Sequence, residues 1–190
     1  MNNLLRRLKF NFSYLTKNAP WDSGISPPEL YDFIASHPAG RALDIGCGTG
    51  TNLMTLVNAG WQAEGFDFVP HAIRTARRKL QQAGINARVF TDDATQMKHV
   101  MPPINLALDL GCFHGIENKA DYLTHLSRVL APNGFWLLYS FIKSASHLPG
   151  PGLVDSDLEL IQRHNLTLIS RTDGWDKRER TSAWFLWQKS

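Results

Sequence analysis

The sequence predicts an α/β fold, a largely parallel sheet covered by helices on both faces. Three observations predict it. Short apolar runs alternate with amphipathic segments through the 190 residues. The run at 41–45 passes directly into a bare turn, Gly46-Cys47-Gly48-Thr49-Gly50, and then into a helical segment. A carboxylate, Asp67, closes the next apolar run. A strand, a glycine turn and a helix in that order bring backbone close to a ligand and aim helix N–H groups at it.

Each element can be justified in turn. Pro27 and Pro28 suit the first turn of a helix over 28–36, with Ser26 as its cap. Residues 41–45 are a short buried strand. The helix over 51–58 puts Leu53, Leu56 and Val57 on one face and stops at Gly60. A second strand covers 62–66. The helix over 70–83 turns Ile73, Ala76, Leu80 and Ala83 inward and leaves Arg74, Arg77, Arg78 and Lys79 mostly on a solvated face. Strand three covers 87–91, and strand four runs from Asn105 into the loop Gly111-Cys112-Phe113-His114. A helix over 119–130 leads through Pro132-Asn133-Gly134 to strand five at 134–140. The irregular loop 141–152 follows, then a helix over 155–163 and strands at 166–171 and 181–188. The last strand is apolar on both sides, as an interior strand is.

Composition narrows the function classes. The net charge of +3 is uneven: residues 1–20 carry Arg6, Arg7, Lys9, Lys17 and no acid, leaving sixteen basic against seventeen acidic residues elsewhere. The body therefore lacks the basic footprint of a nucleic-acid binder. The organisation read from this is a basic arm over 1–20 and a single domain over 21–190. No apolar run approaches the ~20 residues that cross a bilayer, and the arm lacks the features of a secretion signal. Cys47 and Cys112 are no disulfide framework and suit a reducing cytoplasm. The seven histidines show no ligand pair at metal spacing, so no metal is expected.

A dinucleotide fingerprint would place its third glycine at position 51, which is Thr51; here it falls at Gly50. The spacing Asp44-x-Gly46-x-Gly48-x-Gly50 resembles motif I of the class I S-adenosylmethionine-dependent methyltransferases. That resemblance spans roughly residues 40–140. It implies a Rossmann-like seven-stranded sheet in the order 3-2-1-4-5-7-6 with strand seven antiparallel. It also implies S-adenosylmethionine as the cofactor, its methionine end wrapped by Asp44, Gly46, Cys47, Gly48 and Gly50. Asp67 then accepts from the ribose hydroxyls, or simply caps the next helix. Phe68 lies beside the adenine. Asp93, followed by Ala94, meets the adenine amine, unless the acid pair Asp92-Asp93 is merely solvated. Leu110 closes strand four against the cofactor.

The block Pro20-Trp21-Asp22-x-Gly24 and the run Asp109-x-Gly111-Cys112-Phe113-His114 are similar to a small single-domain subgroup that includes thiopurine and tellurite-resistance-type enzymes. The resemblance implies that Trp21 is a lid residue or a staple, and that Phe113 and His147 border the acceptor. His114 is a general base or a structural histidine, and Asp109 orients the acceptor or anchors its loop. Cys112 follows Gly rather than the Pro of cytosine-5 methyltransferases, and no Asn-Pro-Pro-Tyr tetrapeptide is present. The acceptor expected is therefore a small molecule methylated on S, O or N. Two alternatives stand beside it: a tRNA or other macromolecule held by the basic arm, and a cofactor-binding module without turnover. The sequence leaves the oligomeric state open.

Overall fold

The structure, a computed structural model, describes residues 10–12, 14, 16, 22, 24–176 and 178–190. Trp21 and the arm's basic residues Arg6, Arg7, Lys9 and Lys17 lie outside the described residues. The chain forms two compact units, Met1–Ala94 and Thr95–Ser190.

The first unit contains α1 (Pro28–Ser36), β1 (Arg41–Ile45), α2 (Thr51–Asn58), β2 (Gln62–Asp67), α3 (Pro70–Gln82) and β3 (Arg88–Thr91). β1 and β2 are buried along nearly their whole length and pair in parallel, and β2 pairs in parallel with β3. Such strands are covered on both faces, which is why they read as continuous apolar runs. Leu53 and Leu56 of α2, and Ile73, Ala76 and Leu80 of α3, supply that cover. Ala83 does not: α3 ends at Gln82, and Ala83 is exposed.

Two local expectations are corrected here. Ser26 does not cap α1. The cap position is Pro27, and the Ser26 hydroxyl instead contacts Asn52 Oδ1 and Thr55 Oγ1 of α2, both at 2.8 Å. Nor is the basic face of α3 wholly solvated. Arg77 donates to the Val89 carbonyl at 2.9 Å, and Lys79 donates to Thr49 Oγ1 at 2.6 Å.

The second unit contains β4 (Ile104–Leu110), a 3₁₀ turn (Phe113–Gly115), α4 (Lys119–Val129), β5 (Leu130–Phe141), α5 (Asp155–Gln162), β6 (Leu166–Trp175) and β7 (Thr181–Lys189). Asn118 caps α4, its side chain accepting from the Asp121 amide. The Pro132-Asn133-Gly134 turn lies within β5 rather than before it. Between the pairs Ile104–Leu130 and Leu106–Phe135, β5 carries three more residues than β4. Asn133 adopts φ 59, and a Cβ on Gly134 would lie 2.9 Å from two carbonyl oxygens. β6 continues four residues past its expected end, pairing with β7 through Trp175–Thr181. It is an exposed strand, so its far half has no apolar signature.

The complete sheet runs β3-β2-β1-β4-β5-β7-β6, with β7 antiparallel to both its neighbours. This is the order expected from the sequence. Among the described residues, no helix is long and apolar enough to cross a membrane.

Candidate functional site

The first unit carries the glycine turn. Gly48 and Gly50 adopt φ of +52° and +85°, a region open to glycine at little steric cost. Gly65 on β2 serves a different end, since a Cβ there would lie 2.9 Å from Cys47 Cβ and 3.0 Å from Leu53 Cδ1. Its absence lets the turn lie directly against the sheet.

Four amides of this turn are already committed, three of them to β2. Gly46 and Cys47 N–H both donate to the Phe66 carbonyl at 2.9 Å, Gly48 N–H donates to Asp67 Oδ2 at 3.1 Å, and Gly50 N–H donates to the Cys47 carbonyl at 2.9 Å. The turn therefore offers space and backbone rather than a set of open N–H donors at those four positions. This differs from the N–H cradle expected for the segment, and it does not suit a phosphate. It does suit an uncharged thioether or a cationic group. Cys47 takes part through its backbone; its thiol is buried, which pushes its pKa well up.

Asp67 ends β2 and is 4% exposed. Its carboxylate accepts from Gly48 N–H and, at 2.8 Å, from Val69 N–H. Burial pushes it up to about 6 despite these donors. A carboxylate offers roughly four acceptor sites, so Asp67 both ties the turn to the start of α3 and keeps capacity for further donors. Asp44 is buried behind the turn. Phe68 is half-buried, with Phe10 edge-on at 5.4 Å. In the next loop Asp92 accepts from the Asp93 amide at 2.8 Å, while Asp93 is half-buried and Ala94 buried.

Three side chains given no role from the sequence complete this half. Tyr14 places its hydroxyl 2.8 Å from where a Gly48 Cβ would stand. Thr49 donates to Asp22 Oδ1 at 2.8 Å while accepting from Lys79. Asp22 belongs to a block the sequence analysis singled out. Tyr14 has no periodic or motif signal. Together they fit the cofactor implied by the glycine spacing: a bare turn, polar neighbours above it and a buried acid beyond it.

The second unit carries the loop after β4, and Asp109 organises it. Asp109 is wholly buried. It accepts from Cys112 N–H at 2.7 Å, Phe113 N–H at 3.1 Å and Tyr122 Oη at 2.6 Å. Burial pushes its carboxyl up to about 6. A group so enclosed anchors its loop and does not reach an acceptor, so the catalytic role open to it in the sequence is corrected to a positioning one. Phe113 is also corrected. It is fully buried, 5.1 Å edge-on to Trp136 and 4.8 Å from Tyr122, and is core rather than pocket border.

His114 follows on the same turn. Its Nδ1 accepts the Phe141 backbone N–H at 3.2 Å, and its ring stacks on Phe141 at 4.8 Å. Gly111 makes room for that ring, since a Cβ there would lie 3.0 Å from His114 Cε1. Leu110 is 36% exposed at the end of β4. The loop beyond Phe141 is less irregular than its sequence suggests. Lys143 Nζ donates to the carbonyls of Leu148 at 2.9 Å, Gly150 at 3.2 Å and Ser146 at 3.4 Å. His147 is exposed on this loop. Among the described residues, no group of three or more His, Cys, Asp or Glu could hold a metal ion.

Comparison with known proteins agrees with this arrangement. Residues 42–134 match a family model described as a methyltransferase domain. Over that stretch, just under half of its length, the chain is similar to methyltransferase domains, and that similarity supports S-adenosylmethionine as the cofactor. It is 27% identical over 135 residues to 2-heptyl-1-hydroxyquinolin-4(1H)-one methyltransferase of Mycobacteroides abscessus, covering 69% of this chain and 60% of that one. It is 30% identical over 108 residues to EEF1A lysine methyltransferase 2 of Homo sapiens, covering 52% of this chain and 46% of that one. The chain thus spans about half the length of these relatives. Burkholderia thailandensis 1,6-didemethyltoxoflavin-N1-methyltransferase, solved with 1,6-didemethyltoxoflavin and S-adenosylhomocysteine bound, shares the fold. The TM-score is 0.80 at 17% identity, covering 98% of this chain and 88% of that one.

Proposed function

We infer that this chain transfers a methyl group from S-adenosylmethionine to a small-molecule acceptor. The observation that carries the reading is the glycine turn with four amides already committed and Asp67 buried beside it. A pyrophosphate finds few donors there; a sulfonium amino acid lies against backbone, and Asp67 takes the ribose hydroxyls. The cofactor supplies a methyl group already activated by a positively charged sulfur. The protein's part is to hold the two reactants aligned with water excluded, which accounts for ~7–11 kcal/mol of a barrier.

Gly46, Gly48 and Gly50 leave room for the methionine end, with Asp44 and the Cys47 backbone behind them. Phe68, Asp93 and Ala94 serve the adenine end, and Leu110 with His114 the acceptor side. Trp21 and His147 are assigned to the acceptor's entrance. Cys47 and Cys112, neither of them in a disulfide, suit a reducing cytoplasm. The small acceptor is supported by relatives whose names specify small molecules.

A second reading, methylation of a protein lysine, is favoured by the similarity to EEF1A lysine methyltransferase 2. The test is release of S-adenosylhomocysteine with pooled small acceptors and, separately, with cell protein depleted of small molecules. Release with the pool alone supports the first reading, and release with the protein fraction alone supports the second. Tight cofactor binding without release in either would make the chain a binding module.

A further inference from the structure

We propose that β6 is the docking edge for a second copy of this chain, the two β6 strands pairing antiparallel about a two-fold axis at Thr172.

The edge is open and its phase can be read. β6 stands last in the sheet order, so among the described residues it pairs with β7 alone. In an antiparallel ladder alternate residues bond across to the neighbour, and those between turn their N–H and C=O away. Asp176 N–H donates to the Arg180 carbonyl at 3.0 Å, which fixes that alternation. Counted back by twos along the register, Gly174, Thr172 and Ser170 bond to β7. The backbone groups of Arg171, Asp173 and Trp175 therefore point away from the sheet, and such a row is a template for a further strand. Edges that stay unpaired are commonly blunted by Pro or Lys, and β6 has neither.

What the edge carries selects the occupant. Arg171 and Asp173 meet at 2.7 Å, with the Arg171 guanidinium 5.4 Å over the Phe185 ring. Running the strand antiparallel to itself about Thr172 sets Arg171 opposite Asp173 of the second copy, and Asp173 opposite its Arg171. Both pairs then exchange backbone N–H···O bonds and match opposite charges. A slip of two residues either way sets Arg171 against Arg171 or Asp173 against Asp173. Parallel pairing in register sets both like pairs at once.

The same axis brings exposed apolar surface together. Ile169 and Trp175, 51% and 73% exposed, stand equally far on either side of Thr172, so Ile169 lies opposite Trp175 of the second copy. Ile169 is the extra residue of a bulge against β7, and the pairing ends there. An aromatic against a β-branched side chain, opposite charges and Thr against Thr are the cross-strand neighbours that stabilise an antiparallel pair. Two-fold symmetry makes each unlike contact twice.

The test is sedimentation velocity on the full chain from about 1 µM to about 1 mM. The expected result is a monomer–dimer equilibrium within that range. Asp173→Arg and Arg171→Asp, which set like charges opposite, should each weaken dimerisation roughly tenfold or more. The double variant Arg171→Asp/Asp173→Arg should recover most of the affinity, and a circular-dichroism melt checks that each variant is folded. Thr172→Cys reads the axis itself. Facing residues that exchange no backbone bonds have Cα atoms about 4.5 Å apart, within the roughly 4.4–6.8 Å that a disulfide spans. Mild oxidation should link Thr172→Cys as a covalent dimer, while Ser170→Cys should link no more than the native chain. A chain still monomeric at about 1 mM overturns the proposal and leaves the edge to a different strand. A dimer indifferent to the charge swaps, or one that links as readily through Ser170→Cys as through Thr172→Cys, overturns it as well.

Discussion

Asp67 and Asp109 show how one residue type takes two parts under the same physics. Asp67 ends β2 and Asp109 is the last residue but one of β4, each is buried, and burial pushes each carboxyl up to about 6. They differ in what surrounds them. Asp109 is enclosed by Cys112, Phe113 and Tyr122, whereas Asp67 accepts from the glycine turn and the start of α3. Asp67→Ala should weaken S-adenosylhomocysteine binding by about 1.5–3 kcal/mol, the worth of hydrogen bonds to a charged group. Titration calorimetry measures it, and unchanged affinity would remove the ribose role. The same assignment sets a pH dependence. Hydroxyl donors favour the ionised carboxylate, so binding below about 6 must first release its proton. Affinity should fall up to ~10-fold per pH unit below that point, and Asp67→Asn should abolish this slope. For Asp109 the sensitive partner is Tyr122. Tyr122→Phe should cost about 1.5–3 kcal/mol at pH 7, where the carboxylate is ionised, and less at pH 5, where it is protonated. Urea unfolding at the two pH values separates these cases.

The elements most open to the sequence were those with a strict period and a clear stop. Helix α2 and strand β1 have the bounds their apolar spacing predicts, since Leu53 and Leu56 recur at helical interval and a buried parallel strand is continuously apolar. Strand β5 was less open, because its register depends on three extra residues that only its partner β4 reveals. Half of β6 was hidden for the opposite reason: an exposed strand is held by pairing with β7 and needs no apolar pattern. The loop after β5 read as irregular because its order comes from one cation and from backbone pairing of residues 141–143 with Leu153. Lys143 gathers three carbonyls that are otherwise unconnected in the chain. Lys143→Met, keeping length but no donor, should loosen residues 144–150 and raise their proteolytic cleavage several-fold while leaving the melting temperature nearly unchanged. Equal cleavage in the two proteins would mean that the loop is held by its apolar contacts, such as the buried Leu153.

Across the whole molecule the two raised carboxyls act in the same direction. A carboxyl that titrates near 6 when folded and near ~3.9 when unfolded binds more protons in the folded state between those values. Stability from both groups is therefore fully present below about 4 and is lost as the pH rises through about 6. Unfolding free energy measured from pH 4 to 7 should fall more steeply in the native chain than in Asp67→Asn or Asp109→Asn. S-adenosylhomocysteine should recover part of the loss above 6, because bound hydroxyls compensate the buried charge of Asp67. A chain whose stability rises through this window, with and without those substitutions, would show that neither carboxyl carries the shift.

The sequence by itself determined the alternation of strands and helices, the glycine turn, the acid at the end of β2 and hence the class of cofactor. These are properties of spacing along the chain, and local backbone chemistry reads spacing directly. Tertiary structure alone decided which groups remain available. It committed four of the turn's amides, enclosed Asp109 and Phe113, set Tyr14 and Asp22 beside the glycine turn, and placed an N–H donor against His114 Nδ1. Whether a polar group is spent or free depends on partners that stand tens of residues away, and a one-dimensional pattern carries no record of them.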